Sequence, residues 1–130
     1  MYLLDTNIII DHLRIKEGVI QKEWVSPGYI SFVTYSELFY GVYKSKFSKK
    51  NLLLLSDFLE ENEIIVINSD NKTCEYFGRL KAHLEKRGRR IEDADLFIAA
   101  TAITNNLVLV TQNNKHFRKI EDLKIHTHSQ

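Results

Sequence analysis

The chain has 130 residues, enough for one domain with one core. At 44% hydrophobic and 27% charged it is too apolar for a disordered segment, and a formal net charge of +1 excludes a polycation that holds nucleic acid by bulk charge. Its single cysteine, Cys74, excludes an internal disulfide and a cysteine-built zinc site, which fits a reducing compartment.

Taken in chain order, Met1 to Leu4 reads as a buried strand that runs straight into Asp5. Thr6 to about Leu13 follows as an amphipathic helix with Ile9, Ile10 and Leu13 inward. Val19 to Trp24 is a short helix or turn, closed by the turn signal Ser26-Pro27-Gly28. Tyr29-Ile30-Ser31 is a short strand. Thr34 and Glu37 have capping-box spacing, which starts the next helix there. That helix carries Tyr35, Phe39, Tyr40 and Tyr43, too many aromatics for one small core, so a partner interface is expected along it. A helix over roughly 49 to 61 presents Leu52 to Leu55, Phe58 and Leu59. Ile64 to Ile67 reads as a buried strand, and a helix begins at Ser69-Asp70 and ends near Gly88. Ala94 to Asn105 is apolar nearly all round, as in a helix buried between neighbours. Val108 to Val110 is another buried strand, Phe117 and Ile120 lie on a short helix, and Ile125 belongs to a final edge strand.

Strands alternating with helices, and lacking in–out alternation, predict a parallel sheet covered on both faces within a single domain, residues 1–130. No basic segment precedes the first apolar residues and no apolar run reaches the roughly 18 residues a membrane helix needs. A cytoplasmic protein without a signal peptide or a membrane partner is therefore expected.

Three acids stand at element starts. Asp5 follows the first strand, Glu37 is in the aromatic helix, and Asp95 opens the apolar helix. Each has a structural explanation: Asp5 as a cap, Glu37 as the capping-box partner, and Glu92, Asp93 and Asp95 as complements to a helix dipole. If the strands at Leu3 and Val108 are neighbours, all three converge at one end of the sheet, where open α/β sheets bind ligands. Two carboxylates about 4 Å apart repel by roughly 4 kcal/mol at an effective dielectric near 20. Such a cluster must take up protons or a cation, and oxygen-only donors suit Mg²⁺ or Mn²⁺. Two basic runs, Lys44 to Lys50 and Lys86 to Arg90, are either solvated helix ends or phosphate contacts. Acid cluster and basic runs together suggest hydrolysis of nucleic acid.

Four segments carry a family resemblance. They are Leu4-Asp5-Thr6-Asn7-Ile8-Ile9-Ile10, Ser36-Glu37-Leu38-Phe39-Tyr40-Gly41, Ile91-Glu92-Asp93-Ala94-Asp95-Leu96-Phe97-Ile98-Ala99-Ala100, and Leu109-Val110-Thr111-Gln112-Asn113 with Phe117 behind it. In this order and spacing the chain resembles the PIN domain nucleases, specifically the VapC toxins of toxin–antitoxin pairs. The resemblance implies a three-layer α/β/α sandwich and a Mg²⁺- or Mn²⁺-dependent endoribonuclease. Asp5, Glu37 and Asp95 would hold the metal, with Asp93 as an outer member. Thr6, Asn7, Thr111 and Asn113 would support the ligands or a phosphate. The family often has a fourth acid after the Thr of the last segment, but here Gln112, Asn113 and Asn114 follow. That departure bears on a second metal and leaves an inactive scaffold that binds RNA or a protein as the alternative. The resemblance also implies a homodimer and a small antitoxin protein that covers the acidic site. The expected dock is the aromatic face with Leu52 to Leu59.

No Ser–His or Cys–His nucleophile pattern is present. His12, His83, His116, His126 and His128 lack ligand-like spacing with a common acid and read as surface residues, the last two near the C-terminus. An aspartyl phosphatase would want a second Asp where Asn7 stands, and a receiver-like domain would place its Asp after a middle strand.

Overall fold

The computed structural model describes residues 1–128; Ser129 and Gln130, the end of the expected domain, lie outside the described residues. The elements are β1 (Tyr2–Leu4), α1 (Thr6–Arg14), a 3-10 turn (Lys22–Trp24), β2 (Gly28–Ser31), α2 (Phe32–Lys44), α3 (Ser48–Glu61), β3 (Ile64–Ile67), α4 (Asn71–Lys86), α5 (Asp93–Thr104), β4 (Val108–Thr111), α6 (Asn114–Phe117) and β5 (Ile125–Thr127). The strands form one five-stranded sheet in the order β3-β2-β1-β4-β5, and every pairing is parallel.

The continuous apolar character of β1 and β4 has a direct cause. Successive strand residues point to opposite faces, and both faces are covered. Leu3 and Leu109 join Leu96, Ala99 and Phe117 on one side, while Leu4 and Val110 join Ile8, Leu38, Leu55 and Phe58 on the other. This is the three-layer α/β/α architecture, with α4 and α5 on the first face and α1 to α3 on the second. The α4–α5 contact includes Phe77 stacked on Phe97 with centroids 3.9 Å apart. Apolar character all round α5 follows from its position, since Leu96, Ile98, Ala99, Ala100, Thr101 and Ala102 are all buried.

Strand order creates the site. From β1 the chain steps outward to β2 and β3, then returns to the other side of β1 for β4. Tyr2, Leu3 and Leu4 pair with Val108, Leu109 and Val110. The connections after β1 and β4 therefore leave in opposite directions, and a crevice opens at their carboxyl ends.

Several local expectations are corrected. The N-cap of α2 is Ser31, not Thr34: the Thr34 N–H donates to Ser31 Oγ at 3.1 Å. Glu37 therefore lies beyond the first turn and closes no capping box. In α1 the fully buried pair is Ile8 and Ile9, whereas Leu13 is 36% exposed. β3 is an edge strand with Ile65 46% exposed, not a buried one. His12 is no simple surface residue. Its Nδ1 accepts the N–H groups of Val19 at 2.8 Å and Ile20 at 3.0 Å, which pins the segment after α1. His126 and His128 sit edge-on to the buried Trp24 ring, each with centroids 5.7 Å away. Among the described residues, no helix is long and apolar enough to cross a membrane.

Candidate active site

Asp5 is the first residue after β1 and the N-cap of α1. Its Oδ1 accepts the Thr6 N–H at 2.9 Å, and its Oδ2 accepts the Thr111 hydroxyl at 2.7 Å. Thr111 ends β4, and its Oγ1 in turn accepts the Asn113 N–H at 2.9 Å. The carboxylate is thus gripped from both sides of the crevice. It is buried, and among the described residues no cation forms an ion pair with it. Burial pushes its pKa from 3.8 up to about 6; the Thr111 and Thr6 hydrogen bonds work against that rise, and the nearby charges of Asp95 and Glu37 add to it.

Glu37 reaches the same place from α2. Thr6 Oγ1 donates to Glu37 Oε1 at 2.6 Å and lies 3.0 Å from Thr34 Oγ1. A hydroxyl has one proton, and the charged carboxylate is the stronger acceptor. Asp95, in the first turn of α5, lies with its Oδ2 3.5 Å from His116 Nδ1, and His116 Nδ1 is 3.0 Å from Asn113 Nδ2.

Asp5, Glu37 and Asp95 therefore share one electrostatic neighbourhood at the β1–β4 crevice. Asp93 points elsewhere, with its Oδ1 2.9 Å from Lys81 Nζ. Asn7 is exposed on the first turn of α1. Of the residues where a fourth acid would stand, Gln112 donates to Asp11 at 2.7 Å and Asn113 faces His116. Among the described residues, no three acidic, imidazole or thiol side chains are already gathered to hold a metal ion. Like charges keep such carboxylates apart. The donor set of oxygens around a buried, unpaired Asp5 nevertheless fits a hard divalent cation.

Two site residues escape sequence reasoning. His116 is 21 positions from Asp95, and nothing in either local pattern links them. Thr34, buried beside Thr6, reads from sequence only as a helix start.

A family model described as PIN domain matches residues 2–123. The chain is 32% identical over 126 residues to ribonuclease VapC2 of Haemophilus influenzae, covering 95% of this chain and 94% of that protein. It is 31% identical over 126 residues to the tRNA(fMet)-specific endonuclease VapC of Shigella flexneri, covering 95% and 94%. The fold is similar to the crystal structure of VapBC2 from Rickettsia felis bound to a promoter DNA fragment, with a TM-score of 0.88, 33% identity and 98% of each chain covered. The family model, the relatives and the fold, each matched over nearly the whole chain, agree: the chain belongs to the PIN domain family, among the VapC ribonucleases.

Proposed function

We propose that this chain is a Mg²⁺- or Mn²⁺-dependent endoribonuclease of the cytoplasm, the toxin of a VapBC-type pair, acting as a single domain. The observation that carries the reading is Asp5: a buried carboxylate with no cationic partner, in the field of Asp95 and Glu37. Asp5, Glu37 and Asp95 would hold the ion, with Asp93 an outer member restrained by Lys81. When bound, it supplies a water of lowered pKa and a positive charge for phosphate oxygens.

The chain's own groups do the rest. Thr111 and the Thr6 N–H fix the two oxygens of Asp5, so the carboxylate need not reorganise. Thr6 Oγ1 holds Glu37 on the crevice side of α2. Asn113 braces both Thr111, through its N–H, and His116, through its side chain. Asn7, exposed on the first turn of α1 next to Thr6, would offer its amide to a phosphate oxygen.

An apolar groove of about 260 Å³ lies between α1, α2 and α3, with Glu37 among its lining residues. Ile10, Leu13, Leu38, Val42 and Leu54 line it. It suits the apolar face of an antitoxin helix, which would cover a carboxylate as it docks. Of the aromatic and leucine face expected to dock a partner, Leu55 and Phe58 belong to the core, whereas Tyr40, Tyr43 and Leu53 are exposed, as is Phe47 outside that face. That exposed group is the natural contact for a homodimer.

The test is cleavage of a mixed RNA pool by the purified protein with EDTA, Mg²⁺ or Mn²⁺, beside Asp5→Asn. Metal-dependent cutting that the variant loses is expected. No cutting and no metal binding would leave the inactive scaffold.

A further inference from the structure

An open groove of about 680 Å³ lies beside the acidic crevice, lined by Arg89, Lys115, His116, Arg118 and Lys119. Its shape follows from two anchors. Phe117 and Ile120 are buried, so the residues around them turn outward with their charges. Arg89 is set opposite by the end of α4, where Gly88 takes φ +68° and the Arg89 N–H donates to Leu84 O at 2.9 Å. No acid lines the groove. Among the described residues, none of Arg89, Lys115, Arg118 and Lys119 forms an ion pair. The chain as a whole carries only +1, so four cations on one groove are a local concentration. His116 belongs to both places, since it lines the groove and its Nδ1 is 3.5 Å from Asp95 Oδ2.

We propose that this groove is the track for the RNA backbone: Arg89, Lys115, Arg118 and Lys119 hold phosphates of the strand on the His116 side of the cleaved bond. The inference rests on the endoribonuclease reading and adds the route of the substrate. An acidic protein segment would match the same charge. RNA is favoured because the groove opens onto the acidic crevice through His116, and because its cations include two guanidinium forks suited to phosphate.

The experiment measures binding of a short fluorescent single-stranded RNA in EDTA, so that binding is read apart from cleavage. It compares the wild type, the triple variant Arg89→Ala/Lys115→Ala/Arg118→Ala, and a charge-matched control, Lys44→Ala/Lys46→Ala/Lys49→Ala. All six positions are exposed, and melting curves check that each variant is folded. Between about 50 and 200 mM salt, the slope of log affinity against log salt should fall by about 2 in the groove variant, roughly 0.7 per lost phosphate contact. Its affinity at low salt should drop about tenfold or more, with the control close to wild type. Equal losses in both triples, or an unchanged slope, would overturn the track. So would displacement of the RNA by polyglutamate as readily as by polyuridylate, which would assign the groove to an acidic protein. If the slope falls as expected but the wild type cuts no RNA with Mg²⁺ or Mn²⁺, the track stands and the nuclease reading fails.

Discussion

Thr111 Oγ1 donates to Asp5 Oδ2 at 2.7 Å, tying the last residue of β4 to the first residue after β1, 106 positions away. This bond lowers the pKa of Asp5 against its burial. Thr111→Val keeps the volume and removes the donor. It should cost about 1–3 kcal/mol of stability at neutral pH, where Asp5 is ionised and loses a buried partner. It should also move the acid limb of the cleavage pH profile to higher pH. Urea unfolding and a pH–rate series check the two effects separately.

Asp5 itself opposes folding once it ionises. Its pKa is about 6 in the folded chain against an ordinary 3.8, so the protonated group favours the folded state. That contribution is fully present below about pH 4 and is lost as pH rises through about 6. The difference corresponds to about 3 kcal/mol at 1.36 kcal/mol per unit. Asp5→Asn should therefore stabilise the protein above about pH 7 by up to that amount, and change little near pH 4. It should abolish cleavage at every pH. A variant no more stable than wild type at neutral pH would show that Asp5 is not buried as a charge.

A bound divalent cation reverses that penalty, and the effect is read without any substrate. Mg²⁺ or Mn²⁺ should raise the melting temperature of the wild type above about pH 6.5 and have little effect at about pH 4.5, where Asp5 is protonated. Asp5→Asn and Asp95→Asn should blunt the gain. Differential scanning calorimetry across pH and metal concentration measures it.

Glu37 depends on Thr6, whose hydroxyl lies 2.6 Å from its Oε1. Thr6→Val leaves α1 packed but frees the Glu37 side chain. Loss of such a supporting bond typically costs 10- to 100-fold in metal affinity or activity. Thr6→Ser, which restores the hydroxyl, should recover most of it. Titration of Mn²⁺ and initial cleavage rates serve as the two readouts.

The loop after α1 depends on Gly18 and on a neutral His12. Gly18 has φ +73°, and a Cβ there would lie 2.6 Å from His12 Cε1. Gly18→Ala should cost about 2 kcal/mol or more, from the left-handed backbone and the clash together. Burial lowers the pKa of His12, and its Nδ1 accepts two N–H groups. Its contribution is present above the ordinary value of 6.5 and is lost as pH falls through the lower folded value. Thermal melts from neutral to mildly acidic pH check the direction.

Much of this molecule is legible locally. The strands at Leu3 and Val108, the apolar helix after Asp93 and the helix capped by Asp70 follow from apolar pattern and cap chemistry, which depend on near neighbours. Errors arise where two signals overlap. Ser31 both ends β2 and caps α2, so the Thr34–Glu37 spacing imitates a capping box one turn late. β3 is as apolar as a central strand, yet it lies at the sheet edge with Ile65 exposed.

The sequence by itself determined which residue types stand at the ends of the elements: an Asp after the first strand, a Glu in the second helix, an Asp opening the apolar helix, and a Thr ending the fourth strand. Their meeting was decided by tertiary structure. Only the placement of β4 beside β1 brings Thr111 to Asp5, and only the position of α6 brings His116 to Asp95 and its cations opposite Arg89. Periodicity and caps act over one or two turns of chain, whereas these contacts join residues 21 to 106 positions apart. Their partners are chosen by strand order and by packing on both faces of the sheet.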